Sequence, residues 1–198
     1  MTQNTKARIV DAARDLFVES GEAAVTMRAV AKAAGVSTMA AYRHFDGRDA
    51  LVVAVMEQGH DKFLASMHRA LSAPTPLDRL VATGKAYLDF ALANPRDYDL
   101  MFLRPAACDM TGTPQTWRDA ATFRFVVDRV SECIAAGILP PGDAELGALS
   151  LWAHVHGMIS LFLTHKLQLE EPVFREVYGR VLAAAWQIEP AGGVSISP

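Results

Sequence analysis

Apolar positions recur along this chain with helical spacing almost throughout. Ile9, Ala12, Ala13, Leu16 and Phe17 fall at i, i+3, i+4, i+7 and i+8, the single apolar stripe of an amphipathic helix. Gly21 ends that helix. Thr26 reads as the N-cap of a short helix turning Val30, Ala31 and Ala34 inward, and Gly35 stops it. Ser37 caps a third helix reaching to about Phe45. Asp46-Gly47 is a turn signal, and a long helix from Arg48 to about Leu71 follows. At 1.5 Å per residue it is roughly 35 Å long, enough to connect two subdomains.

The second half repeats the pattern. After the break at Ser72 to Pro76, Leu77, Leu80, Val81, Gly84, Tyr87, Leu88 and Ala91 predict a core-facing helix. Asn94-Pro95 punctuates it, and a short segment with Tyr98, Met101 and Phe102 follows. Arg104 to Pro114 has no periodicity and reads as a loop. Ala120, Phe123, Val127, Val130 and Ile134 mark another helix, ended by Gly137 and Pro140-Pro141-Gly142. Residues 143–166 read as one helix. Phe174, Val177, Tyr178, Val181, Leu182 and Ala185 form a last stripe, closed by Pro190 and a frayed tail. Neither strand alternation nor a repeat of 20–50 residues is present. The expectation is an all-α chain of about nine helices: residues 1–50 as a small N-terminal domain, 51–190 as a helical body, and 191–198 as a flexible tail.

Composition narrows the classes. With 51% hydrophobic residues and a net charge of −3, the 198-residue chain collapses rather than staying disordered. Its two cysteines make neither a disulfide scaffold nor a four-thiolate zinc site, so a reduced, cytoplasmic setting is expected. Met1 to Arg14 has no apolar run of the secretory kind. Leu146 to His165 has no charged side chain and is about long enough to span a bilayer. It carries Ser150, His154, His156, Gly157, Ser160 and Thr164 and has no flanking basic cluster, so a buried or oligomer-interface helix is the better reading and no membrane is expected. Residues 1–50 hold seven basic and six acidic side chains, a local +1, while the remainder is −4. That balance excludes bulk coating of nucleic acid but allows a small basic surface on an acidic body.

Residues 26–45, TMRAVAKAAGVSTMAAYRHF, have the make-up of a helix-turn-helix. Two short helices that cross closely need small residues at the contact, here Ala31 and Ala34. Gly35 supplies the positive φ of the turn and Val36 fills the space between the helices. The second helix then exposes Ser37, Thr38, Met39, Tyr42 and Arg43, groups of a size and polarity suited to a DNA major groove and its flanking phosphates. On its own the pattern equally fits an ordinary helical hairpin. Phe45 is expected in the core.

The wider context resembles the N-terminal domain of the TetR-type transcriptional regulators: Thr26, Ala31, Ala34-Gly35-Val36-Ser37, Tyr42-Arg43-His44-Phe45 and Arg48 stand at that family's spacing. The resemblance covers about residues 6–52. It departs at Met39-Ala40-Ala41, where members often have Gly or Pro, Thr, then Leu or Ile. It implies phosphate contacts from Thr26, Tyr42, His44 and Arg48, and base-edge contacts from Arg28, Thr38 and Met39. Met39 also suits a thymine methyl on chemical grounds. Further on, Trp152 to Gly157 resembles the Trp-x-x-x-His-Gly signature of one TetR-type C-terminal subfamily, and Asn94 to Phe102 resembles its Pro-x-x-Tyr-x-Leu-Met-Phe stretch. Trp152 and His156, at i and i+4, share a helix face and are either packing residues or, with Phe102, the lining of an effector pocket.

The function so implied is a ligand-responsive transcriptional regulator, a repressor that binds palindromic operator DNA as a homodimer and is released by a small hydrophobic effector. The alternative is a small-molecule-binding helical protein whose N-terminal hairpin is structural. No catalytic residue, cofactor or metal is expected. His154 and His156 point about 200° apart on a helix, Cys108 and Cys133 lack metal spacing, His60 and His68 read as surface residues, and no phosphate-binding glycine loop or GxSxG elbow is present.

Overall fold

The computed structural model describes residues 2–103 and 120–186. The expected loop at 104–114, Cys108, Pro190 and the tail at 191–198 lie outside these. Among the described residues there are nine α-helices and no strand. They group into two compact units: residues 2–64 with 94–103, and residues 65–93 with 120–186.

The first unit opens with α1 (Thr2–Ser20), α2 (Met27–Ala33), α3 (Thr38–Tyr42) and the first turns of α4 (Arg48–His68). The stripe on α1 is its core face: Ile9 and Ala13 are fully buried and Phe17 nearly so. Val30, Ala31, Ala41, Phe45, Leu51, Val52 and Val55 meet it, with Val36 packed against the cluster. An expected domain boundary at residue 50 thus falls inside α4, whose next turn supplies core residues. The helix α3 is shorter than its sequence suggested and stops at Tyr42, because the chain must turn Phe45 inward before Gly47. Helix α6 (Pro95–Tyr98) and a π-turn (Asp99–Leu103) complete the unit, with Tyr98 and Leu100 buried. Arg14 on α1 holds the buried Asp97 through Nε, 3.2 Å from both carboxylate oxygens, and Nη2, 2.5 Å from Oδ2. His60, expected on the surface, is half-buried instead, edge-on to Phe102 at 5.4 Å. The π-turn brings that ring against α4, where sequence periodicity cannot see it.

The second unit is built from the end of α4, a 3-10 turn (Arg69–Ser72), α5 (Pro76–Ala93), α7 (Ala121–Ala135), α8 (Ala144–Leu163) and α9 (Glu171–Ala185). Helix α5 buries Leu80, Thr83, Gly84, Tyr87, Leu88, Phe90 and Ala91. Val81, expected on this face, is 58% exposed, since it lies at the edge of a stripe that Thr83 fills by donating its hydroxyl to the Arg79 carbonyl. Helix α7 buries one broad face, running from Phe125 through Arg129, Cys133 and Val126 to Val130 and Phe123. Tyr178 on α9 donates its hydroxyl to the Gly84 carbonyl at 2.7 Å, pinning α9 to α5. Helix α8 is 20 residues long with a mean hydropathy of 1.5, enough by length and composition to cross a membrane. It packs on α5, α7 and α9 in this unit, yet only 22% of it is buried. Leu146 and Leu161 on α8 and Val173 on α9 are exposed.

Candidate nucleic-acid interface

Helices α2 and α3 are set by local chemistry. Thr26 lies in extended backbone and its hydroxyl accepts from the Ala29 N–H at 3.2 Å; Ser37 does the same for Ala40 at 3.1 Å. Both are side-chain N-caps that fix where a helix begins. Gly35 sits at φ +66 between them, a conformation that costs an L-residue about 1–2 kcal/mol, and a Cβ there would meet Arg8 Nη2 at 3.2 Å. That Arg8 group donates to the Ala34 carbonyl, closing the C-terminal end of α2. The turn between the helices is therefore defined by the Ser37 cap, the Arg8 bond to Ala34 and Gly35, of which Gly35 cannot take a larger side chain without strain.

The scaffold leaves a small display surface. Thr26, Arg28, Ser37, Thr38, Met39, Tyr42 and Arg43 are all exposed, Met39 by 68% and Tyr42 by 51%, and His44 is half-buried. A hydroxyl that accepts one cap bond still has its own proton to donate, so Thr26 and Ser37 combine capping with an available donor. An exposed methionine on a five-residue helix buries nothing in the free protein.

Arg48 differs from the rest of the expected set. Its Nε donates to the Val25 carbonyl at 3.0 Å, and its Nη2 to the Glu22 carbonyl at 3.2 Å and the Glu22 carboxylate at 2.8 Å. The fork clamps the loop that leads into Thr26, and so positions α2. Only spacing along α4 is legible in sequence; the carbonyls that Arg48 holds belong to a 3-10 turn (Glu22–Ala24) and to Val25 just after it, which have no sequence signal of their own.

The expected effector residues separate. Phe102 belongs to the first unit, tilted against Tyr98 at 4.9 Å and edge-on to Phe63 at 5.6 Å. Trp152 and His156 belong to the second. Their rings lie 6.0 Å apart, Phe123 stands 6.2 Å from Trp152, and the indole N–H donates to the Tyr87 hydroxyl at 3.2 Å. Both are half-buried. Burial pushes the His156 imidazole below its ordinary value, so at neutral pH it is an uncharged donor and acceptor. No group of three metal-binding side chains occurs among the described residues.

A family model for bacterial regulatory proteins of the tetR family matches residues 9–55, and one for the tetracyclin repressor-like C-terminal domain matches residues 80–185. The chain is 32% identical over 79 residues to the HTH-type transcriptional regulator UidR of Escherichia coli, covering 40% of each protein. It is 27% identical over 147 residues to an HTH-type transcriptional regulator of Mycobacterium tuberculosis, covering 73% of this chain and 61% of that one. It thus spans less than two thirds of either relative. A solved structure of a protein with unknown function from Rhodococcus sp. RHA1 matches with a TM-score of 0.78 and 28% identity, covering 92% of this chain and 94% of that one. With one model accounting for the head and another for more than half the chain, the protein belongs to the TetR family of transcriptional regulators.

Proposed function

We propose that this protein is a cytoplasmic transcriptional repressor, without enzymatic activity, that binds palindromic operator DNA as a homodimer and leaves it when a small apolar effector binds the body. What carries the reading is the exposed face of α3 and the caps beside it: Thr38, Met39, Tyr42 and Arg43 stand out from a helix whose start, turn and support are each fixed by a specific bond. Thr26, Tyr42, Arg43 and His44 are assigned to phosphates, and Arg28, Ser37, Thr38 and Met39 to base edges. Arg48 acts through Val25 and Glu22 as a positioning residue.

One such head buries little DNA surface, and a two-fold pair reading two half-sites supplies the rest. The exposed apolar side chains Leu146, Leu161 and Val173 support pairing through α8 and α9 as a four-helix contact. The half-buried Trp152 and His156, with a neutral imidazole, suit an apolar ligand bearing one carbonyl or hydroxyl. Release needs only that the effector prefer the form whose heads are wrongly spaced for the operator.

The test is a gel shift with the DNA upstream of the chain's own gene. Tyr42→Ala should weaken binding to operator and unrelated DNA about equally. Met39→Ala should change preference at one base pair by about 1 kcal/mol. Unchanged affinity of Tyr42→Ala for both DNAs would overturn the docking.

A further inference from the structure

The second unit contains a buried cation that the regulatory reading leaves without a task. Arg129 on α7 is only 7% exposed. Its Nη2 donates to Glu132 Oε1 at 2.6 Å, one turn along the same helix. The other oxygen of Glu132 is already taken, by Arg79 Nε from α5 at 2.8 Å. Arg79 spends Nη1 on the carbonyls of Ala73 and Pro74. Two guanidinium groups therefore share one carboxylate, and the cluster carries one positive charge in excess. The excess sits on Arg129, whose Nε–H is buried and has no acceptor.

A buried charged donor without an acceptor is expensive, and charge balance does not require this one: Glu132 would remain neutralised by Arg79 if Arg129 were absent. Beside these ion pairs, its neighbours along α7 are apolar. Phe125, Arg129 and Cys133 recur every four residues on one face of α7; Phe125 is 7% exposed and Cys133 fully buried, and the guanidinium carbon lies 4.7 Å from the Phe125 ring centre. We propose that Arg129 is the anchor of a binding site for an organic monocarboxylate, whose headgroup takes the unpaired Nε–H and whose hydrocarbon stem lies along the Phe125–Cys133 face. A charged N–H without an acceptor suits a carboxylate oxygen, and a buried position beside an apolar ring favours an acid with an apolar stem over a strongly hydrated inorganic anion, which would have to shed its water without return. The site is separate from the Trp152–His156 surface and does not depend on DNA binding.

The test is thermal unfolding of the full chain titrated with octanoate and benzoate, with octanol and benzyl alcohol as uncharged counterparts and sulfate as an inorganic anion. At least one of the two acids should raise Tm in a concentration-dependent way, and the alcohols and sulfate should not. Arg129→Met should abolish the response while melting, without ligand, at or above the wild-type Tm, because Glu132 keeps Arg79. Arg129→Lys should keep the charge but weaken the apparent Kd by about tenfold, as expected when a fork becomes a point charge. The Nε–H NMR resonance of Arg129 in the wild-type chain, identified by its loss in Arg129→Lys, should shift with the same acid. The site is refuted if neither acid shifts Tm or that resonance, if alcohol or sulfate acts as well as the acid, or if Arg129→Met responds like wild type. An unfolded or markedly destabilised Arg129→Met would equally refute it, by making Arg129 an ordinary structural cation.

Discussion

Helix α1 and helix α8 are both long helices with apolar positions to cover, and they end in different circumstances. Each carries a long apolar pattern. On α1 the pattern is consumed within the first unit, where Ile9 and Ala13 reach zero exposure against α2 and α4. On α8 only 22% of the helix is buried, and Leu146 and Leu161 stand 65% and 44% exposed. Periodicity reports that a surface avoids water; it does not report which surface covers it. The amphipathic, charged opposite face of α1 marks a helix at the edge of a small core. The uncharged run of α8 marks one with too much apolar surface for its own unit to cover.

That contrast can be broken experimentally, most forcefully at its buried end. Ile9→Ala should destabilise the fold by about 2–5 kcal/mol, read as a loss of midpoint in urea at any protein concentration. A change under about 1 kcal/mol would mean that α1 is not core. Leu161→Glu should act the other way, leaving the helical circular dichroism spectrum intact while converting the proposed dimer to monomer in sedimentation, because a charge would be buried unpaired only in the assembled form. A dimer that survives this substitution would move the interface off this part of α8. Smaller again is Gly35→Ala. Its φ of +66 and the 3.2 Å approach to Arg8 predict a loss of about 1–2 kcal/mol, with operator affinity falling alongside stability. Stability equal to wild type would show that the turn relaxes freely.

The smallest expected effect is one of pH. Burial lowers the pKa of both His60 and His156. A histidine whose folded value is depressed binds its proton more readily when unfolded, so the stability it contributes is present above the unfolded value of about 6.5 and is lost as pH falls below it. Tm should therefore decline between about pH 7 and 5.5, and His60→Phe should flatten part of that decline. A Tm constant across this window would argue against the buried ring contacts of both histidines.

Much of the molecule was legible beforehand because its information is local. Thr26, Gly35, Ser37 and Gly47 each act within four residues of themselves, and each stands where a cap or turn was expected. The display residues Thr38, Met39 and Tyr42 were readable for the same reason, since the turn before them determines which way they face. What escaped notice depends on distant partners. Arg14 and Asp97 are 83 residues apart, and neither has a pattern that names the other. Arg129 is hidden from the sequence because the stripe through Phe123, Val127, Val130 and Ile134 marks only one side of the buried face of α7, and an arginine between Phe125 and Cys133 looks like a solvated position. His60 reads as a surface residue in the sequence because Phe102 reaches it from a segment that has no periodicity at all.

The side-on grip of Arg14 on Asp97 bears on how this head could be moved between proteins. Residues 94–103 belong to the same compact unit as α1 to α4, and Leu100 sits in its core. Gly59 on α4 lies so close to Met101 that a Cβ there would come within 2.8 Å of its sulfur. The head is therefore discontinuous in sequence. A chimeric regulator spliced at the end of α3, or anywhere along α4, would inherit the reading surface but leave Arg14 facing a foreign segment. A graft that keeps the head intact must carry two pieces of chain, the N-terminal helices and the stretch from Asn94 to Leu103, and the recipient body has to admit both.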